Sequence, residues 1–394
     1  MFKVFVAHSS DLDTKDAAHA ILKRLSTQIT ANTPPVMAGL LFIGANHDAA
    51  LLLDRINQAF PAIELIGCTT DGEMTSVGGF VEDSVSFTLF CSDTIDICAG
   101  VGRETSSHPA RSARDAIDQA LHSLAGAPVL ALTMPDGLST MSHPMLIEMQ
   151  SILGPMVPIV GGASADQVLW SKQDYKTKQF FRNEVLSDST PVLLFAGPLL
   201  YSLGVQSGWS PLGIKKTVTN ENDGEVYALD GMPPLKLYQH YLGDSIVDNR
   251  AMLGTFPLAV HELDSDLFYL RVASKADPET GFMTFSGDVP KGAAVQLTQA
   301  IRNQVIQGVN KSVNDARSQY PGTQPEVALT FSCTGRKMAL GSKTYEEIER
   351  VMDILGRETK VTGFYTFGEI APLHIPGQSH YHNATFVTLL LGTS

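Results

Sequence analysis

Cysteine is scarce. The 394-residue chain has four, Cys68, Cys91, Cys98 and Cys333, with no Cys-x-x-Cys pair among them. Neither a disulfide framework nor a thiolate zinc site follows, and a reducing cytoplasm is the expected compartment. Positive charge is also short, with 28 Lys and Arg against 41 Asp and Glu for a net −13 and no basic block, so nucleic acid is not an expected partner. No apolar run is long enough for a membrane span. The longest, Pro191 to Val205, is interrupted by Gly197-Pro198 and reads as two buried strands and a turn. The opening Phe2 to Val6 is strand-like and too short for a signal-peptide core, so export is not expected. Phosphate loops are missing as well: the glycine cluster Gly161-Gly162-Ala163-Ser164-Ala165-Asp166 has no Gly-Lys-Ser/Thr and no Gly-x-Gly-x-x-Gly.

What is present is a recurring rhythm. Met37 to Ile43 reads as strand, Ala49 to Phe60 as helix and Ile63 to Gly67 as strand; Pro128 to Met134, Met141 to Leu153 and Val157 to Gly162 repeat it. Val327 to Ser332, Tyr345 to Leu355 and Val361 to Phe364 repeat it again. The fold expected is mixed α/β (α+β), with two pseudo-symmetric halves built from strand-helix-strand units and β-rich segments. The firmest sign of duplication is residue by residue: Gly67-Cys68-Thr69-Thr70-Asp71-Gly72-Glu73 and Gly363-Phe364-Tyr365-Thr366-Phe367-Gly368-Glu369 share Gly-x-x-Thr-x-Gly-Glu. Phe90 to Gly102 also resembles Phe195 to Gly208, with Gly100-Val101 facing Gly204-Val205. A boundary near 210 gives domains 1–210 and 211–394. Beyond it a hairpin turning at Asn222-Asp223-Gly224, a helix from Pro234 to Leu242 capped by Gly243, and a long helix from Ala293 to Tyr320 are expected.

Strand ends in α/β units are where ligands gather, so the candidate contacts are Thr70, Glu73, Asp166, Cys333, Arg336, Thr366, Glu369 and Asn383. Arg336 is suited to holding a ligand carboxylate, or else to an ion pair with Glu73 or Glu369. The glutamates are equally suited to closing a turn, and Asp166 to an Asx turn. Cys333 has no histidine beside it in sequence and reads as a buried thiol. Two histidines stand out: His240, amid Tyr238, Tyr241 and Leu237, and His382 in His380-Tyr381-His382, where i and i+2 share a strand face.

Together these segments resemble the FIST family of bacterial signal-transduction sensors. The Gly67–Glu73 motif is similar to its N-terminal region, and Phe331–Arg336, Gly363–Glu369 and His382–Thr385 to its C-terminal one. The resemblance implies a non-enzymatic, ligand-binding sensor of a small molecule such as an amino acid. One branch of the family is described as stand-alone haem proteins sensing nitric oxide and acting on a separate histidine kinase or cyclic-di-GMP enzyme. It implies haem b here, with His240 as first and His382 as second axial candidate, a diatomic gas as ligand, and a signalling protein as partner. A homodimer is compatible with it. A carboxylate-dependent enzyme using Glu73 and Glu369 is the contrasting class.

Overall fold

A computed structural model describes residues 1–138, 142–167, 177–222, 224–248, 250–261 and 267–394. The first unit runs β1 (Phe2–Ser9), α1 (Thr14–Gln28), β2 (Val36–Gly44), α2 (Ala49–Ala59), β3 (Glu64–Thr70), a hairpin of β4 (Glu73–Thr75) and β5 (Gly79–Val81), then β6 (Val85–Ser92). The second runs β7 (Asp96–Arg103), α3 (Pro109–Ser123), β8 (Pro128–Thr133), α4 (Ser142–Leu153), β9 (Ile159–Gly162), the hairpin β10 (Gln179–Phe181) and β11 (Glu184–Leu186), then β12 (Ser189–Ala196).

The third unit opens with β13 (Leu200–Gln206) and is then interrupted. The insert contains β14 (Ser210–Asn222), β15 (Glu225–Leu229), α5 (Pro234–Leu242), α6 (Arg250–Thr255), β16 (Leu258–His261), β17 (Phe268–Arg271), β18 (Ala273–Ala276), β19 (Met283–Phe285) and β20 (Ala294–Gln299). The unit resumes with α7 (Arg302–Gln319), β21 (Val327–Cys333), α8 (Thr334–Leu340), α9 (Glu346–Leu355), β22 (Lys360–Thr366), the hairpin β23 (Glu369–Pro372) and β24 (Ser379–His382), and β25 (Phe386–Gly392).

The mixed α/β class and its strand-helix-strand unit are as expected, and the unit occurs three times. Each copy lays its strands in the same order, β1-β6-β2-β3, β7-β12-β8-β9 and β13-β25-β21-β22. Each sheet is completed by another copy's hairpin: β10-β11 joins the first sheet, β23-β24 the second and β4-β5 the third. The predicted boundary at 210/211 falls after the first residue of β14, at the start of the insert. Glycines 100 and 204 lie on the corresponding first strands, and a Cβ at either would strike a carbonyl of the helix that follows, Ala116 O or Ser312 O.

The inner faces of the three sheets share one apolar core, in which Phe42 of the first sheet lies 4.5 Å from Phe364 of the third and Phe90 lies 5.6 Å from Phe195 of the second. Outside, α1 and α2 cover the first sheet, α3 and α4 the second, and α7 and α9 the third. Burial on both faces explains why the central strands read as continuous apolar runs. The insert forms its own seven-stranded sheet with a separate core, on which α5 packs through Leu235 and Tyr238. Gly243, at φ 86°, ends that helix as predicted. The single helix expected from Ala293 is instead β20 followed by α7: Val295 and Leu297 alternate into the insert core while β20 pairs with β14 and β16. The predicted turn at Asn222-Asp223-Gly224 includes Asp223, outside the described residues; β14 and β15 flank it.

Candidate functional site

The register shows which residues correspond. Gly67, Gly161 and Gly363 pair in parallel with Leu41, Thr133 and Thr330, and a Cβ at each would collide with that partner's carbonyl oxygen, so only glycine allows these strands to approach. Across the other edge the same glycines face Phe180, Ile370 and Met74 of the inserted hairpins. The preceding residue of each hairpin is therefore one position in three versions: Gln179, Glu369 and Glu73. Three residues beyond each glycine stands a hydroxyl, Thr70, Ser164 or Thr366.

The three side chains do the same job. Glu73 accepts from the hydroxyls of Thr70 and Ser84 and, at 3.2 Å, from the Ser84 amide. Gln179 Oε1 accepts from the Ser189 amide and hydroxyl at 3.2 and 3.1 Å, while its Nε2 donates to Ser164 at 2.8 Å and Asp136 at 3.2 Å. Glu369 Oε2 accepts from the Thr385 amide and hydroxyl at 3.0 and 2.6 Å. Ser84, Ser189 and Thr385 each stand at the entry to the last strand of their unit, so every cluster ties a hairpin to that strand.

The third cluster differs in being unsaturated. Thr366 turns away, its hydroxyl within 2.6 Å of Ala163 O and 2.9 Å of Gly368 O, and among the described residues no nitrogen or oxygen donor reaches Glu369 Oε1. The Cys333 thiol also bonds this carboxyl. Burial drives the Glu369 carboxyl up to about 8, against the bonds from Thr385 and the Arg336 charge; Glu73, equally enclosed but better bonded, rises to about 7. At neutral pH Glu369 is thus mostly a carboxylic acid, able to donate as well as accept. Burial, with Glu369 second, pushes the Cys333 thiol up, which keeps it protonated and weakly nucleophilic.

The other sequence candidates are placed elsewhere. Arg336 is wholly buried, and its pair is Glu347, at 2.8 Å, not Glu73 or Glu369; its remaining donors meet Ser207 O and, at 2.8 Å, Val305 O. Each of its three nitrogens is thereby bonded inside the protein. Asn383 Oδ1 accepts from Val272 N at 3.3 Å and joins the third unit to the insert. Asp166 is buried beyond the second glycine block. Sequence reasoning missed Ser164, Gln179 and Asp136; only strand register brings Gln179 to the glutamate position. It also missed Lys337, which holds Asp71 at 2.6 Å and Glu82 at 2.6 Å, while burial still raises Asp71 to about 6.

The histidines do not fit a haem site as placed. His240 is exposed, its ring edge-on to Tyr241 at 4.9 Å and not sealed among apolar groups. His382 is fully enclosed, with Nε2 on Ala371 O at 2.9 Å and its pKa lowered by burial to about 3. Among the described residues no group of three His, Cys, Asp or Glu side chains is placed to hold a metal ion. Nor, among them, is any helix long and apolar enough to cross a membrane.

A mixed α/β protein with interlocked repeats and buried carboxyls at its strand ends is the class the geometry defines. Its family follows from sequence comparison: the FIST N domain matches residues 37–232 and the FIST C domain residues 234–372. The chain belongs to the FIST family of signal-transduction sensory domains. No curated protein matches it. Among solved structures it is similar to a cyanuric acid hydrolase from A. caulinodans (11% identity, 100% of both chains, TM-score 0.35) and a chorismatase (8% identity, 99% of both chains, TM-score 0.34). At those scores neither likeness carries an argument.

Proposed function

We propose that this chain is a non-enzymatic sensor that binds a small polar metabolite of the amino-acid class at the third strand-end cluster and signals through a separate protein. The observation that carries this is Glu369: a buried carboxyl, raised by burial to about 8, with one oxygen that no nitrogen or oxygen donor reaches among the described residues, in a family of sensory domains. A protonated carboxyl offers a hydrogen bond to a ligand carboxylate that an ionised one would repel. Cys333 and Thr385 bond it, and Asn383 lies two residues before Thr385. Haem-based nitric oxide sensing, the finer expectation, finds no support in the placement of His240 or His382.

The test is a thermal-shift panel of amino acids and small organic acids on the wild type and on Glu369→Ala and Glu369→Gln. A ligand at 100 times its Kd stabilises by about 2.7 kcal/mol. A ligand that shifts the wild type, loses that shift in Glu369→Ala and keeps it in Glu369→Gln, whose amide still donates, supports the assignment, whereas an equal shift in wild type and Glu369→Ala moves the site elsewhere. A Soret band in protein produced with ample haem would restore the haem reading.

A further inference from the structure

Two junctions between units are built alike and carry different charge. Where the second unit meets the first, the turn of the inserted hairpin β10-β11 begins at Arg182, whose amide donates to Leu65 O at 2.8 Å. Where the first meets the third, the turn of β4-β5 begins at Ser76, whose amide donates to Val361 O at 2.9 Å. Leu65 and Val361 each stand two residues before the close-packed glycine of their strand, so Ser76 takes the place of Arg182 and Lys360 the place of Glu64. Helices α1 and α3 have equal length and matching buried positions, from Ala17, Ala18 and Ile21 to Ser112, Ala113 and Ala116, which sets Arg24 in the place of Gln119.

The junction of the second and first units satisfies itself. Arg182 meets both oxygens of Glu64, at 3.0 and 3.2 Å, Glu64 also accepts from the Ala99 amide at 2.8 Å, and Gln119 accepts from the Val101 amide at 2.9 Å. At the other junction the carboxylate has become Lys360, its arginine has become a serine, and the glutamine has become Arg24. What stands there is an open cavity of about 1010 Å³, lined by these two cations together with Lys3 and Arg357. Among the described residues none of the four forms an ion pair. Two carboxylates share the lining, Glu326 and Asp353, but burial holds Glu326 above the ordinary carboxylate range in spite of Lys3 and Lys360, so it is tightly paired to neither. Cations are therefore in excess here, four to two, on a chain whose net charge is −13. Phe5, Val77 and Met352, each half-buried, add an apolar wall.

We propose that this junction is a second binding site, for an organic phosphate of several negative charges such as a nucleoside diphosphate, with Lys3, Arg24, Arg357 and Lys360 on the phosphates and Phe5, Val77 and Met352 against the body of the ligand. The anion that Glu64 builds into one junction is brought to the other from solution. Guanidinium forks and ammoniums both match phosphate oxygens, and an open site needs a multiply charged ligand because each exposed charge pair is weak. A zwitterionic amino acid brings an ammonium that these cations repel, so this cavity and the Glu369 cluster select different ligands. An occupant touches the first and third units together and ties them.

The experiment titrates the full chain with ADP by calorimetry in metal-free buffer, beside inorganic pyrophosphate and citrate. ADP is expected to bind with a Kd below about 1 mM, and more tightly than pyrophosphate, which has nothing to lay on the apolar wall. Arg24→Gln with Lys360→Glu, which installs the residues of the self-satisfied junction, should weaken ADP binding at least about tenfold in a protein of unchanged circular dichroism. Lys15→Glu with Lys291→Gln, an equal change of charge on exposed residues outside the cavity, should leave it unchanged. Undiminished binding in the cavity variant, an equal loss in the control, or no binding at about 10 mM ADP overturns the proposal. Pyrophosphate binding as tightly as ADP, or citrate more tightly, also overturns it and identifies a site for a bare phosphate or a polycarboxylate. None of these outcomes bears on Glu369, so the sensor reading stands or falls separately.

Discussion

The first and third strand-end clusters carry the same glutamate at the same register, yet one is closed and the other is not. Glu73 is ringed by Thr70 and Ser84, whereas Glu369 holds Thr385 on one oxygen and among the described residues meets no nitrogen or oxygen donor on the other. Desolvation is common to both. Hydrogen bonds to the ionised form oppose it at both, from Ser84 and Thr70 at Glu73 and from Thr385 and Cys333 at Glu369, so what separates the two clusters is one hydroxyl, given by Thr70 to Glu73 and by Thr366 to backbone carbonyls. The third unit compensates nearby with a buried Arg336–Glu347 pair, to which Tyr365 and Ser332 also donate, at 2.6 and 2.7 Å.

The largest expected effect tests that compensation. Arg336→Ala should cost about 3–5 kcal/mol by urea denaturation, because Glu347 is left charged and buried. A loss below about 1 kcal/mol would mean that the third unit does not depend on the pair. Next, Glu73→Ala should cost about 2–3 kcal/mol by stranding two hydroxyls and an amide, and Glu369→Ala roughly half as much. Equal costs would erase the contrast between the clusters.

The pH dependence sharpens it further. Both carboxyls are raised in the folded state, so their stabilising contribution is full below about 4.5 and is lost as pH rises through about 7 for Glu73 and about 8 for Glu369. Between pH 7 and 8 the wild type should lose about 1 kcal/mol, largely from Glu369, and Glu369→Gln should flatten that part of the profile. An unchanged slope would show that Glu369 is not the titrating group. Smallest is Gln179→Glu, which gives the second cluster the glutamate of the others. Set 3.2 Å from Asp136, it should destabilise by about 1 kcal/mol at pH 7 and less at pH 5, read by thermal melts at the two values.

Much of the fold was legible because buried strands and covering helices differ in period. The unit cores around β2, β8 and β21 follow from apolar runs ending at glycine. The third copy of the motif was hidden by chemistry and by spacing: glutamine replaces glutamate, and residues 167–178 intervene between Asp166 and Gln179. Only pairing across the sheet restores the alignment. The Ala293 segment misled because a helical period in α7 was extended back over Val295 and Leu297, whose alternation is that of a strand. Arg336 could be seen to need an anion, but not that Glu347, eleven residues on, would reach it before any ligand. His240 lies among apolar neighbours in sequence and points away from them in space, since α5 buries only Pro234, Leu235 and Tyr238.

The exchange of hairpins gives the molecule a closed circuit. The first unit lends β4-β5 to the third sheet, the third lends β23-β24 to the second, and the second lends β10-β11 to the first. Glu369 begins one of these loans, so a pull on its hairpin is felt first in the second sheet, whose own hairpin grips the first. The three sheets are thus tied in a ring, and a chain divided near residue 210 would part lenders from borrowers on both sides of the cut.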